Sequence, residues 1–234
     1  MPIVIGAKRE SDFGDPIGML GDCHRRIERF LNALLTVATG AKGGPLTNEQ
    51  QAALSTGLRY FREAAPKHTA DEEESLFPRL SRLDRPDLQP LLEKIDSLQQ
   101  DHECAERSHR EVDRLGQLWL AIGKLSPQDA ETLATVLTQL TALYRRHIAM
   151  EDMEVFPFAA QALASSERHA IGSEMAARRG LAGAKAPGPG SGRGGPRAWG
   201  GAAPCSRDSA DAARWDRGHP RPAPSSRGSR RAGS

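Results

Sequence analysis

The chain has 234 residues, 38 % of them hydrophobic, with 32 Lys and Arg against 30 Asp and Glu, which is enough for one sizeable core with appendages. No stretch approaches the roughly 20 apolar residues that span a bilayer, which excludes a membrane-spanning role. Cys23, Cys104 and Cys205 lack disulfide or zinc spacing and the start MPIVIGAKRE lacks a long apolar run, so the chain reads as a reduced, cytoplasmic protein without a signal peptide.

The predicted elements are all helical. Asp15-Pro16 is an N-cap acid followed by proline at the first helical position, and Ile17, Leu20, Ile27, Leu31, Leu34 and Leu35 then recur at helical spacing, giving a first helix over about 16–39. Gly40, Gly43, Gly44 and Pro45 break it. Thr47 with Gln50 three residues later forms a capping-box pattern opening a second helix to about 82, bent at Pro66. A third helix runs from Pro86 to Gly123. Ser126-Pro127 opens a fourth, to about 164. Alternating β-branched runs bounded by tight turns are missing, and short loops imply an antiparallel, up-down-up-down four-helix bundle.

The flanks differ in character. Residues 1–14 form an N-terminal extension, the bundle occupies 15–165, and 166–179 is a helix extension or linker. Residues 180–234 carry 10 basic against 3 acidic side chains, with 12 Gly and 7 Pro, whereas residues 1–179 carry 22 against 27. The last segment has too little apolar periodicity to offset its ordering entropy and reads as a disordered basic tail. Its aromatics are limited to Trp199 and Trp215, so specific nucleic-acid binding has weak support.

Chemistry concentrates on four histidines. Each predicted helix carries one, His24, His68, His102 and His147, and each has a glutamate four residues on: Glu28, Glu72, Glu106 and Glu151. At 3.6 residues per turn, positions i and i+4 share a face. His68 and His102 stand at similar distances from the loop that joins their helices, as do His102 and His147, so the ligands meet at one level. A core holding these groups without a metal would carry a burial penalty that apolar packing does not readily offset. Imidazole and carboxylate donors without thiolates suit iron or manganese, and they outnumber what one tetrahedral zinc uses. Two octahedral ions bridged by carboxylates would use them. Glu28 reads as a solvated residue, Glu73 and Glu74 as charge around the site or facing solvent, His109 as a candidate ligand, a base beside the ligands or a surface residue, and Tyr144 as a core residue able to reach the site.

Two stretches, HTADEEESLFP at 68–78 and HIAMEDMEVFP at 147–157, share the series His, Glu at four, an acid at five, Phe at nine and Pro at ten. Here the chain resembles hemerythrin-type, HHE cation-binding domains over residues 15 to about 165. The resemblance implies a non-haem centre of two Fe ions, with His24, His68, Glu72, His102 and His147 at matching positions. In helix 4 both Glu151 and Asp152 are available. Where oxygen-carrying relatives have a second histidine in helix 3, this chain has Glu106, which implies a more anionic centre. That points away from reversible oxygen carriage and toward oxygen, iron or redox sensing or peroxide chemistry, with dioxygen, peroxide or another small redox ligand as partner. Two alternatives stay open: reversible oxygen binding, and an interaction module in which the bundle is only a scaffold.

Overall fold

The computed structural model describes residues 10–85 and 88–181. Among them every regular element is helical. The disorder expected of 180–234 falls outside the described residues except for Gly180 and Leu181.

The expected caps are present. The Asp15 carboxylate accepts from the Gly18 amide at 3.1 Å and starts α1, Pro16–Ala41. Lys42 and Gly43 end it with positive φ of 49° and 77°, a conformation that favours glycine. A Cβ on Gly43 would also lie 2.7 Å from that of Ala130. Thr47 and Gln50 exchange hydrogen bonds of 3.2 and 2.9 Å at the start of α2, Asn48–Glu63. Pro66 follows, without an N–H for the preceding turn, and the helix restarts as α3, Ala65–Ala70.

Two departures from regular α-helix are informative. After α3 the chain runs as a π-helical segment, Asp71–Leu76, before α4, Phe77–Leu80. After α5, Gln89–Ile122, and α6, Pro127–Met150 capped by Ser126, a second π-helical segment spans Glu151–Val155 before α7, Phe156–Ala162. The Phe77 amide reaches back to the Glu72 carbonyl and that of Phe156 to Glu151. Each Phe-Pro pair thus restarts an α-helix with proline in its first turn, where no intrahelical N–H is needed. Such π turns are uncommon and gather at functional sites.

Residues expected as a helix extension or linker form a separate helix, α8, Ser165–Arg178. It is firmly attached. Ile171 and Met175 are fully buried, Glu174 holds Arg79 and Ser75, and Arg178 and Arg179 close on the buried Asp71 at 2.9 and 2.6 Å. Gly172 lies so near the Phe13 carbonyl that a Cβ there would be 2.0 Å away.

Helix α1 packs on α2 and α6, and α5 packs on the same two. Partners run in opposite order: along α5, Lys94 meets Glu154, Asp101 meets Arg146 and His109 meets Tyr144. The apolar interior is divided in two. One cluster gathers Ile27, Leu31, Leu58, Leu115, Trp119 and Leu137; the other gathers Leu20, Leu76, Phe77, Leu98, Val155 and Met175. Each fully buried residue of this kind contributes about 1.5–3 kcal/mol. Between the clusters lies a layer of ionisable side chains.

Candidate metal centre

Six residues make up that layer: His24 from α1, His68 from α3, Glu72 from the first π segment, His102 from α5, His147 from α6 and Glu151 from the second π segment. None is more than 8 % exposed. They fall into two overlapping groups, His24, His68, Glu72 and Glu151, and Glu72, His102, His147 and Glu151, with the ligand atoms of each group within 4.8 Å of one another. Each group has two histidines of its own. Both share the two glutamates.

The distances fit that arrangement. Glu72 lies 3.2 Å from His68 Nε2 through Oε1 and 3.4 Å from His102 Nε2 through Oε2. Glu151 Oε2 lies 3.0 Å from His24 Nε2 and 3.2 Å from His147 Nε2. His102 Nε2 and His147 Nε2 face each other at 3.1 Å. Despite this proximity, His24 Nε2 and all four oxygens of Glu72 and Glu151 have no hydrogen-bond partner of acceptable geometry. Unsatisfied buried polar atoms are costly, and so many converging on one point are the donor set of a cation. The residues present therefore fit metal ions of the imidazole-and-carboxylate class.

Electrostatics agree. Burial pushes the Glu72 carboxyl up, but His68, His102 and His24 outweigh it and hold it well below the usual carboxylate range. Burial and Glu72 push Glu151 up, and His147 and His24 bring it down. Burial opposes the charged form of His102, yet Glu72 and Glu73 raise it to about 10. His68 is lowered by burial to about 4. Two ionised carboxylates thus sit beside protonated imidazoles, whose protons a bound cation would displace.

Two residues read in the sequence as metal ligands, Glu106 and Asp152, do not join the cluster, nor do the weaker candidates Glu28 and His109. Glu106 is exposed and its carboxylate pairs with Arg110 at 2.5 Å; the inward position on that turn belongs to Ala105, which is buried. The expectation that Glu106 replaces a ligand of helix 3 is therefore corrected. Asp152 is 45 % exposed and lies 2.8 Å from His24 Nδ1, the nitrogen turned away from the cluster. Of the helix 4 carboxylates, Glu151 is the one brought inward. Glu28 is exposed. His109 hydrogen-bonds Tyr144 at 3.0 Å and stacks on Phe61, outside both groups.

Sequence reasoning left Glu73 between charge around the site and solvent-facing charge, and passed over Asp101. Glu73 Oε1 lies 2.8 Å from His102 Nδ1, and Asp101 Oδ2 lies 3.7 Å from His147 Nδ1 while also binding Arg146. The parallel between Glu72-Glu73 and Glu151-Asp152, an acid pair at four and five after each motif histidine, was the available signal.

The fold, the two shared glutamates and the four histidines define a metal-binding helical protein. The chain matches the hemerythrin HHE cation-binding domain over residues 15–159 and belongs to that family. It is also similar to an uncharacterized protein of Haemophilus influenzae, 27 % identical over 177 residues that cover 75 % of this chain and 96 % of that protein. Among the described residues no helix is long and apolar enough to cross a membrane.

Proposed function

We propose that the chain is a non-haem di-iron protein built as an antiparallel four-helix bundle, working in redox or iron sensing or in peroxide-related chemistry. The observation that carries this reading is the sharing of Glu72 and Glu151 between two pairs of histidines. His24 and His68 would hold one ion and His102 and His147 a second, with Glu72 and Glu151 within reach of both. Iron bound there would supply one-electron redox chemistry toward dioxygen, peroxide or another small redox ligand.

The surroundings favour reaction or sensing over reversible oxygen carriage. Glu73, Asp101 and Asp152 place further carboxylates 2.8–3.7 Å from the outward nitrogens of three of the histidines, and this added negative charge stabilises the more highly charged metal state. The two apolar clusters on either side keep the centre from bulk water, while the imidazoles hold or release the protons that accompany a change of charge. Cys23 and Cys104 are not joined in a disulfide, which supports work in a reducing compartment such as the cytoplasm.

Anaerobic purification followed by metal analysis and visible absorption tests the reading. About two irons per chain are expected, with an absorption change on exposure to air or peroxide. One zinc and no iron after expression in iron-replete cells would overturn it.

A further inference from the structure

His24 and His102 differ from the other two histidines in what holds them. His68 and His147 sit on the same helical runs as the glutamates they face, four residues before Glu72 and Glu151, and their Nδ1 atoms have no hydrogen-bond partner. His24 and His102 come from α1 and α5, which contribute no carboxylate to the cluster. For these two, Nε2 faces the shared glutamates while Nδ1 meets a carboxylate reaching across from a neighbouring run, Asp152 Oδ1 for His24 and Glu73 Oε1 for His102, each at 2.8 Å.

The two contacts are reciprocal in construction. Glu73 directly follows Glu72 and Asp152 directly follows Glu151, each pair within a π-helical segment. The first acid of each pair turns inward, fully buried, while the second lies 34 % or 45 % exposed against the imidazole of the adjacent helix. A carboxylate only accepts. It therefore fixes the hydrogen on Nδ1 and leaves the lone pair on Nε2, the atom aimed at the cluster.

We infer that Glu73 and Asp152 are positioning residues, which lock His102 and His24 in the tautomer and ring orientation that bind metal and so tie α5 and α1 to the centre. Resting on the metal-binding reading above, the inference gives Asp152 a role other than ligation and Glu73 a role other than solvated charge. Partners of this kind are worth roughly 10–100-fold in metal affinity. Because both side chains lie at the surface, truncating them opens no interior cavity, and folding should be retained.

Cobalt(II) is the probe. Apo wild type, Glu73→Ala, Asp152→Ala, Glu73→Gln and Glu106→Ala are titrated against a chelator, and proton NMR of the cobalt-loaded chains follows the hyperfine-shifted, solvent-exchangeable Nδ1–H signals. The two alanine variants at 73 and 152 are expected to bind roughly 10–100-fold more weakly, each with faster exchange or loss of one signal, that of His102 or His24. Glu73→Gln keeps an acceptor, and it should recover the slow exchange and part of the affinity. Glu106→Ala should match wild type. Affinities within twofold of wild type with both signals in place would overturn the positioning role, as would failure of either alanine variant to fold, since that would make the carboxylate part of the folding core. If wild type takes up no cobalt, the metal reading itself fails.

Discussion

Whether Glu151 serves two ions or one is decided by comparing its loss with that of His68. Glu151 Oε2 stands 3.0 Å from His24 Nε2 and 3.2 Å from His147 Nε2, and it belongs to both ligand groups; His68 belongs to one. Glu151→Gln keeps the volume and removes the charge that both ions share, whereas His68→Gln disturbs one ion. With free metal at 1,000 times the dissociation constant, each bound ion stabilises the fold by about 4 kcal/mol. For a domain of this size that shifts the melting temperature by about 8–16 °C per ion. We expect about two ions per chain in wild type, one in His68→Gln and none in Glu151→Gln, with thermal stability falling in the same steps. Metal analysis and scanning calorimetry on the same preparations read both quantities. Equal metal content in the two variants would refute the bridging geometry, because a glutamate that serves one ion costs no more than a histidine that serves one.

Metal uptake should strengthen with pH: between the ordinary imidazole value near 6.5 and the value of about 10 held by His102, the metal-free fold keeps a proton that an ion must displace. Titration calorimetry in buffers of different ionisation heat should show that release, and a heat independent of buffer would contradict it. Replacing Arg178 and Arg179 together by alanine leaves the fully buried Asp71 without its two cations, at an expected cost of about 3–5 kcal/mol in denaturant unfolding. Adding Asp71→Asn should recover part of that loss, and a cost below about 1 kcal/mol would show the cluster to be no stronger than a surface pair.

Helix content, three caps, the four histidines and the inward carboxylates Glu72 and Glu151 were legible in the sequence; the exclusion of Glu106 was not, because an i+4 rule treats every helix alike. The buried seam supplies the missing distinction. On α5 it runs Leu98, His102, Ala105, the half-buried His109, Val112, Gly116 and Trp119, and on α1 Leu20, His24, Ile27, Leu31, Leu34 and Ala38, alternating steps of four and three residues as packed helices do. After His102 and His24 the next inward position is three residues on, so Glu106 and Glu28 fall one place past the seam. Along the other two runs the step after the histidine is four, to Glu72 and Glu151, and the next is four again, to Leu76 and Val155. Two long steps in succession insert a residue into the pattern. The π-helical segments absorb it, which links the inward glutamates to the irregular turns that carry them.

The split interior also sets how the chain comes apart. The cluster around Leu20, Phe77 and Met175 and the one around Leu58 and Trp119 are separate, so apolar burial alone does not bind one end of the molecule to the other. Ions held from four helical runs at once would supply that bond, since releasing any run would strip a ligand from the centre. Without them, the end that draws on the short helices α4, α7 and α8 together with parts of α1 and α5 would open apart from the other; with them, both would open together.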